Sequence, residues 1–365
     1  MTVRRFAGTV TALVAVLALA SPAAADARAA QKVKIEPYRI APSALAELKQ
    51  RHLAQLRSRG SGWQELRFNL SNRDLRLLGL PPKRFLLGKR FSTPTMIDRQ
   101  GNRTAVALPT VATYAGAGFF GIRPGALLLT ITDNAIGWCT TAHVYGSPGS
   151  YSISTAGHCG KVGDKGTVIA AFGNRAGTLN PIVLDFGTYK VSHDNGLGDD
   201  YALISVDAPY QSLVTPTMAF WGGPRGVFTK TGTPVGVTIP RNGLIPTVTV
   251  NPDPFLAQQL VHYGHGTGVG FPAGTPRSAT ALHWGATHFM FFGAISPGDS
   301  GSASNTLLGD TVGANMEAAG INTHLYVDPL MRQGLGIMGG TRVTAVGTPA
   351  NGQIVPVPAP APVVP

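Results

Sequence analysis

Three short runs in this chain of 365 residues carry side chains that together can activate a hydroxyl group. Ser154-Thr155-Ala156-Gly157-His158-Cys159 offers an imidazole. Asp200-Tyr201-Ala202-Leu203-Ile204 offers a carboxylate directly ahead of an apolar stretch. Gly298-Asp299-Ser300-Gly301-Ser302 offers a serine between glycines. A serine hydroxyl is a weak nucleophile at neutral pH. It needs an imidazole to take its proton and a carboxylate to hold that imidazole in one tautomer. His158, Asp200 and Ser300 supply these parts in the order His, Asp, Ser, with spacings of 42 and 100 residues. Asp194 and Asp199 are the fallback carboxylates. A nucleophile elbow is disfavoured, because Gly-x-Ser-x-Gly would need a glycine where Ser302 stands, and that arrangement runs in the order Ser, Asp, His. His262-Tyr263-Gly264-His265 is a weak zinc motif, since the glycines oppose the helix that would align its imidazoles.

Most of the elements needed to position these residues read as short strands. Residues 126–132 are apolar and end at Asp133-Asn134. Residues 136–144 read as their hairpin partner, carrying Trp138 and Cys139. Residues 151–154 alternate and deliver His158 to a strand end. Further strands are expected at 167–171, 201–206, 235–239, 247–250, 261–263, 288–292, 311–316 and 324–327. Ahead of them, 43–59 reads as a helix, with Ser43 as its N-cap, leucines near one face and Gly60 as its stop.

Thr155-Ala156-Gly157-His158-Cys159, Asp200-Tyr201-Ala202-Leu203 and Gly298-Asp299-Ser300-Gly301 resemble the histidine, aspartate and serine motifs of the chymotrypsin-like (trypsin-fold) serine peptidases, in particular their secreted bacterial branch. The resemblance spans roughly residues 112–340. It implies an all-β fold of two six-stranded antiparallel β-barrels, here with a partly helical N-terminal extension. It implies a serine endopeptidase that hydrolyses protein or peptide substrates through an acyl-enzyme, with His158, Asp200 and Ser300 as the triad and the N–H groups of Gly298 and Ser300 as the oxyanion hole. Ala294, six residues before the nucleophile, would sit at the base of the primary pocket and favour apolar side chains. Residues 311–315 would pair with substrate backbone. Asp299 would be neutralised by an internal cation, for which Arg225, Arg241 and Arg277 are candidates. Cys139 and Cys159 are the only cysteines, and an even count in an exported chain argues for a disulfide. The resemblance implies the same bridge; two free buried thiols are the alternative. No cofactor or metal is expected. The competing function is a catalytically inactive protein on the same fold, acting in binding or adhesion at the cell surface.

Composition bounds the rest. With 44% hydrophobic and only 13% charged residues the chain is globular rather than disordered. Its net charge of +12 is uneven: residues 26–100 hold 16 Lys/Arg and 6 Asp/Glu, whereas 101–365 hold 12 of each. The excess lies outside the region bearing the three motifs, which argues against nucleic acid as a partner and for contact with acidic cell-surface polymers through residues 26–100. Arg4-Arg5, an apolar stretch and Ala23-Ala24-Ala25 read as an export signal, so the protein is expected to be secreted or held at the cell surface, as a monomer. The expected organisation is signal peptide 1–25, basic extension 26–100, peptidase domain 101–345 and proline-rich tail 346–365. The extension is expected either as a pro-segment removed from a zymogen or as a basic arm that persists.

Overall fold

The structure is a computed structural model that describes residues 31–32, 41–58, 62–63, 70–86, 95–98, 100–107, 122–131, 136–175, 178–228, 258–266, 274–308, 315–327, 335–347 and 353–357. The expected export signal and the strands expected at 235–239 and 247–250 lie outside the described residues. No helix among those described is long and apolar enough to cross a membrane.

The extension comes first, with β1 (Gln31–Lys32), α1 (Pro42–Ser58), β2 (Gly62–Trp63), α2 (Asn72–Leu77), α3 (Lys83–Leu86), β3 (Thr95–Ile97) and β4 (Arg103–Ala107). Helix α1 opens on Pro42, whose fixed φ and missing N–H suit a first helical position, so Ser43 lies inside the helix rather than capping it. Helix α2 begins with a capping box in which Ser71 Oγ accepts from Asp74 N and Asp74 accepts from Ser71 N. Arg51 of α1 donates to Asp74 Oδ1 at 3.0 Å and joins the two helices.

The fold beyond is all-β and antiparallel in its main ladders. The first half contains β5 (Leu127–Ile131), β6 (Ile136–Thr140), β7 (Val144–Tyr145), β8 (Ser152–Thr155), β9 (Lys165–Arg175), β10 (Thr178–Asp194) and β11 (Asp200–Val206). Its ladder runs β6-β5-β9-β10-β11-β8-β7. The two ends, β6 and β7, belong to one bent stretch of chain, and Ala142 N donates to Ser154 O within the bend. After a short β12 (Gly226–Val227) come β13 (Gln259–Gly264), β14 (Thr275–Trp284), β15 (His288–Ala294), β16 (Ala303–Leu308), β17 (Asn315–Val327) and β18 (Leu335–Arg342), followed by α4 (Val343–Val346). These six long strands pair all the way round in the order β13-β14-β15-β18-β17-β16 and back to β13, which makes a closed six-stranded barrel.

Side-chain period builds each core. In β15, Phe289 and Phe291 are buried while Met290 and Phe292 are half-buried, so alternate residues fill the second barrel. All five residues of β5 are buried. Leu128 faces a first-half core with Ile153, Leu184 and Ile204. Leu127, Leu129 and Ile131 join a separate cluster with leucines of the extension. A fourth cluster fills the seam between the halves, where Ala142, Tyr145 and Leu203 meet Tyr263, Ala303 and Ile321. At the start of the tail, residues 353–357 lie along the first half, with Val355 N donating to Val144 O at 2.8 Å.

Candidate active site

His158 sits in a single 3-10 turn, Gly157–Cys159, at the end of β8. Asp200 opens β11, which pairs with β8, so the ladder itself carries the carboxylate to the imidazole. His158 Nδ1 lies 2.8 Å from Asp200 Oδ2, and the His158 backbone N–H donates to Asp200 Oδ1 at 3.0 Å. Both side chains are almost wholly enclosed, at 3% and 0% exposure. A buried carboxylate facing Nδ1 makes that nitrogen the protonated one and leaves Nε2 as the basic site. Gly157 permits the close approach, since a Cβ there would fall 1.5 Å from His193 O. Ser192 Oγ fastens the turn by donating to the carbonyls of Gly157 and Gly160. The fallback carboxylates sit elsewhere. Asp199 is half-exposed and pairs with His193 and with Asn195 Nδ2, and Asp194 stands opposite Asp200 in the ladder.

Ser300 comes from the other half, in the tight turn between β15 and β16. The turn is bonded to the first half through its backbone. Thr140 N donates to Ser300 O at 2.8 Å, and Thr140 Oγ1 donates to Gly298 O at 2.9 Å. Cys139 and Cys159 form a disulfide, which links β6 to the residue after His158. Cys159 Sγ, with no hydrogen to give, lies in contact 3.9 Å from Ser300 O. The structure thus brings the Ser300 turn to the residue next to His158. Gly298 has a φ of +102°, and a Cβ there would come within 2.2 Å of Trp138 Nε1. Among the described residues, the N–H groups of Gly298 and Ser300 and the Ser300 hydroxyl donate to no protein acceptor.

Asp299 is completely buried. Of the three candidate cations it meets Arg277, which binds it through both terminal nitrogens, with Nη1 at 2.6 Å from Oδ2. Gly266 N and Ser296 N complete the carboxylate's shell at 2.8 and 2.9 Å. Burial alone would raise this carboxyl's pKa; the charge of Arg277 outweighs it and holds the group below the usual carboxylate range. Arg241 lies outside the described residues. Arg277 also donates to Ala294 O at 2.9 Å, so Ala294, at the end of β15, has its carbonyl held by the same guanidinium. Of the expected substrate-pairing segment 311–315, only Asn315 is described, at the start of β17.

Sequence reasoning missed several groups that shape the site. The Thr341 hydroxyl of β18 accepts from Asp200 N and donates to Asp200 O, at 3.3 and 3.1 Å, tying the carboxylate's strand to the second barrel. Asn322 O accepts from Gly301 N at 2.6 Å, and Asn322 Nδ2 donates to Ser302 Oγ, gripping the far side of the serine turn. A single Thr or Asn within a strand carries no motif, and only its partners across the seam reveal it. The buried histidines have other roles. His265 Nε2 bonds Gly125 O across the seam at 2.9 Å. His143 Nε2 lies 3.0 Å from Asn305 Oδ1, and burial pushes its pKa down to about 4. Burial first, and then the charge of Arg277, pushes His262 down to about 3. Among the described residues, the grouping with three ligand atoms within 4.8 Å of one another is Cys139, His158 and Cys159, whose sulfurs are committed to the disulfide.

No protein-family model matches the chain, and no curated protein matches it. Among solved structures it is similar to Thermobifida fusca Protease A, at 17% identity and a TM-score of 0.38, over 65% of this chain and 99% of that one. It is also similar to the thermostable serine protease AL20 from an extremophilic microorganism, at 14% identity and a TM-score of 0.37, over 62% and 92% of the two chains. A third is a glutamic acid specific serine protease described as using a histidine triad in substrate binding, at 15% identity and a TM-score of 0.33, over 62% and 95%.

Proposed function

We propose that the protein is an exported serine endopeptidase that hydrolyses peptide bonds through an acyl-enzyme. The observation that carries this reading is the enclosed His158–Asp200 pair, 2.8 Å apart, set beside a serine turn that presents two undonated backbone N–H groups. On this reading Ser300 Oγ attacks the carbonyl carbon of the scissile bond while His158 Nε2 takes its proton. Asp200 keeps the ring in the required tautomer and stabilises the imidazolium as it forms. The carbonyl oxygen becomes an oxyanion and is met by the N–H groups of Gly298 and Ser300. The tetrahedral species collapses as His158 gives the proton to the leaving amine. Water then attacks the acyl-Ser300 ester by the same route in reverse and frees the enzyme. Preorganisation favours this chemistry. The turn is held on both sides by Thr140 and Asn322, so its N–H groups are already directed before charge develops.

The substrate is proposed to be protein or peptide with an apolar side chain at the cleaved position, on the basis of Ala294. The test is a fluorophosphonate probe applied to secreted wild-type protein, Ser300→Ala and Asp200→Asn. Labelling that requires Ser300 and slows sharply in Asp200→Asn supports the reading. A folded wild-type protein that does not label refutes it and favours binding at the cell surface instead.

A further inference from the structure

The outer face of β5 and β6 is covered by the chain's own N-terminal extension. Leu127, Leu129, Ile131, Ile136 and Trp138 are buried in one cluster with Leu48, Leu70, Leu75, Leu78 and Leu86. A strand buried on both faces has no surface to return to water. Backbone pairing fixes the cover at three places. Leu70 N donates to Ile136 O at 2.7 Å. Thr95 and Met96 of β3 pair with Val183 and Ile182 of β10. Gly62 and Trp63 of β2 pair with Val327 and Tyr326 of β17, so the extension is stitched to the second barrel as well as to the first half.

Strand β6 runs from this cover to the serine turn. By the period of two, Ile136, Trp138 and Thr140 share a face. Ile136 and Trp138 lie in the leucine cluster. Thr140 holds the carbonyls of Gly298 and Ser300, and the Trp138 indole edge stands where a Gly298 side chain would be. The leucines of the extension thus share a cluster with the same side chain that packs beside the Gly298 Cα.

We propose that residues 48–97 remain part of the working enzyme rather than leaving as a pro-segment, and that they hold the Gly298–Ser300 turn in position through β6. Trp138 is the positioning residue in this chain of contacts. The inference rests on the peptidase reading for its activity readout. A discarded segment would leave an apolar face of five large side chains and a β10 edge stripped of its partner strand. Such an exposed face is a liability for a secreted protein.

The first experiment labels the secreted wild-type protein with a biotinylated fluorophosphonate, captures it under native conditions and determines its mass. The labelled enzyme is expected to contain residues 48–97, in one chain or as a bound fragment. Labelled enzyme that lacks them overturns the inference, whereas no labelling at all overturns the peptidase reading instead. The second compares Trp138→Ala and Trp138→Phe below their unfolding temperatures. Trp138→Ala should lower the maximal labelling rate tenfold or more, leave the half-saturating probe concentration within twofold, and be largely rescued by Trp138→Phe. A lowered unfolding temperature with an unchanged labelling rate would overturn the positioning role.

Discussion

Replacing Arg277 with methionine should expose how the serine turn is anchored. The Asp299 carboxylate is fully buried and receives Arg277 Nη1, Arg277 Nη2, Gly266 N and Ser296 N. Arg277→Met leaves the volume nearly filled but strands a buried negative charge on two backbone donors. Breaking a buried pair from one side costs about 3–5 kcal/mol. At about 2–4 °C per kcal/mol for a domain of 150–250 residues, the melting temperature should fall by roughly 6–20 °C. The pH dependence has a definite sign. In the wild type the Asp299 pKa lies below its unfolded value, so the pair's stabilisation is present above about pH 4 and is lost as pH falls through the folded value. Without the guanidinium, burial dominates and the folded pKa rises above the unfolded one. The variant then loses stability as pH rises. The gap between the proteins should therefore be widest near pH 8 and close towards pH 4. Urea unfolding followed by tryptophan fluorescence, in a Ser300→Ala background to prevent self-digestion, measures this directly. Arg277→Met with Asp299→Asn should cost less than the sum of the two single changes. A loss below 1 kcal/mol, or a gap that is flat from pH 4 to 8, would refute the reasoning.

Asp200→Asn should preserve the fold and lower kcat by about 10⁴, because the amide no longer selects the productive tautomer of His158; steady-state hydrolysis of a peptide substrate, with circular dichroism as the folding control, checks it. Gly298→Ala should lower kcat by about 10²–10³, the loss of one oxyanion donor, since the new Cβ meets Trp138 and the backbone cannot keep its φ of +102° without strain; an unchanged kcat would remove Gly298 from the oxyanion site. His143 and His262 are buried neutral, with pKa values pushed down to about 4 and about 3. The unfolded chain takes up protons below about pH 6.5 that the folded chain refuses, so stability should fall as pH drops from about 6.5 towards 4. His143→Gln should make that slope shallower in urea midpoints taken at pH 7, 6 and 5, whatever its effect on stability at pH 7.

The apolar run of β5 and the alternation before His158 were legible in the sequence because strand period and turn residues signal locally. Strand β18 was not, because Gly336, Gly339 and Gly340 carry no strand signal. In the fold, a Cβ at Gly340 would come within 2.3 Å of the Phe289 ring, so the glycine marks a large side chain opposite rather than a bend. Strand β10 was missed as well, since Pro181, Asp185 and Gly187 interrupt its pattern, and its place follows from pairing with β9, β11 and β3. At the site, Arg277 was one of three candidate cations, and only the register that sets β14 beside β13 chooses it, with Arg277 opposite His262. The helical extension was visible in outline, but its packing on β5 was not. A run of five buried residues looks the same whether its second face meets a barrel core or a cover from elsewhere in the chain.

The candidate residues are divided between the two halves. His158 and Asp200 both belong to the first half and meet through one ladder. Ser300 is held by Thr140 on one side and Asn322 on the other, and the seam by Asp200 is closed by Thr341 of the last strand. A small slide of one half against the other would therefore carry the Ser300 turn away from His158 while leaving the His158–Asp200 distance unchanged, so the seam, rather than either half alone, sets whether the three groups stand together.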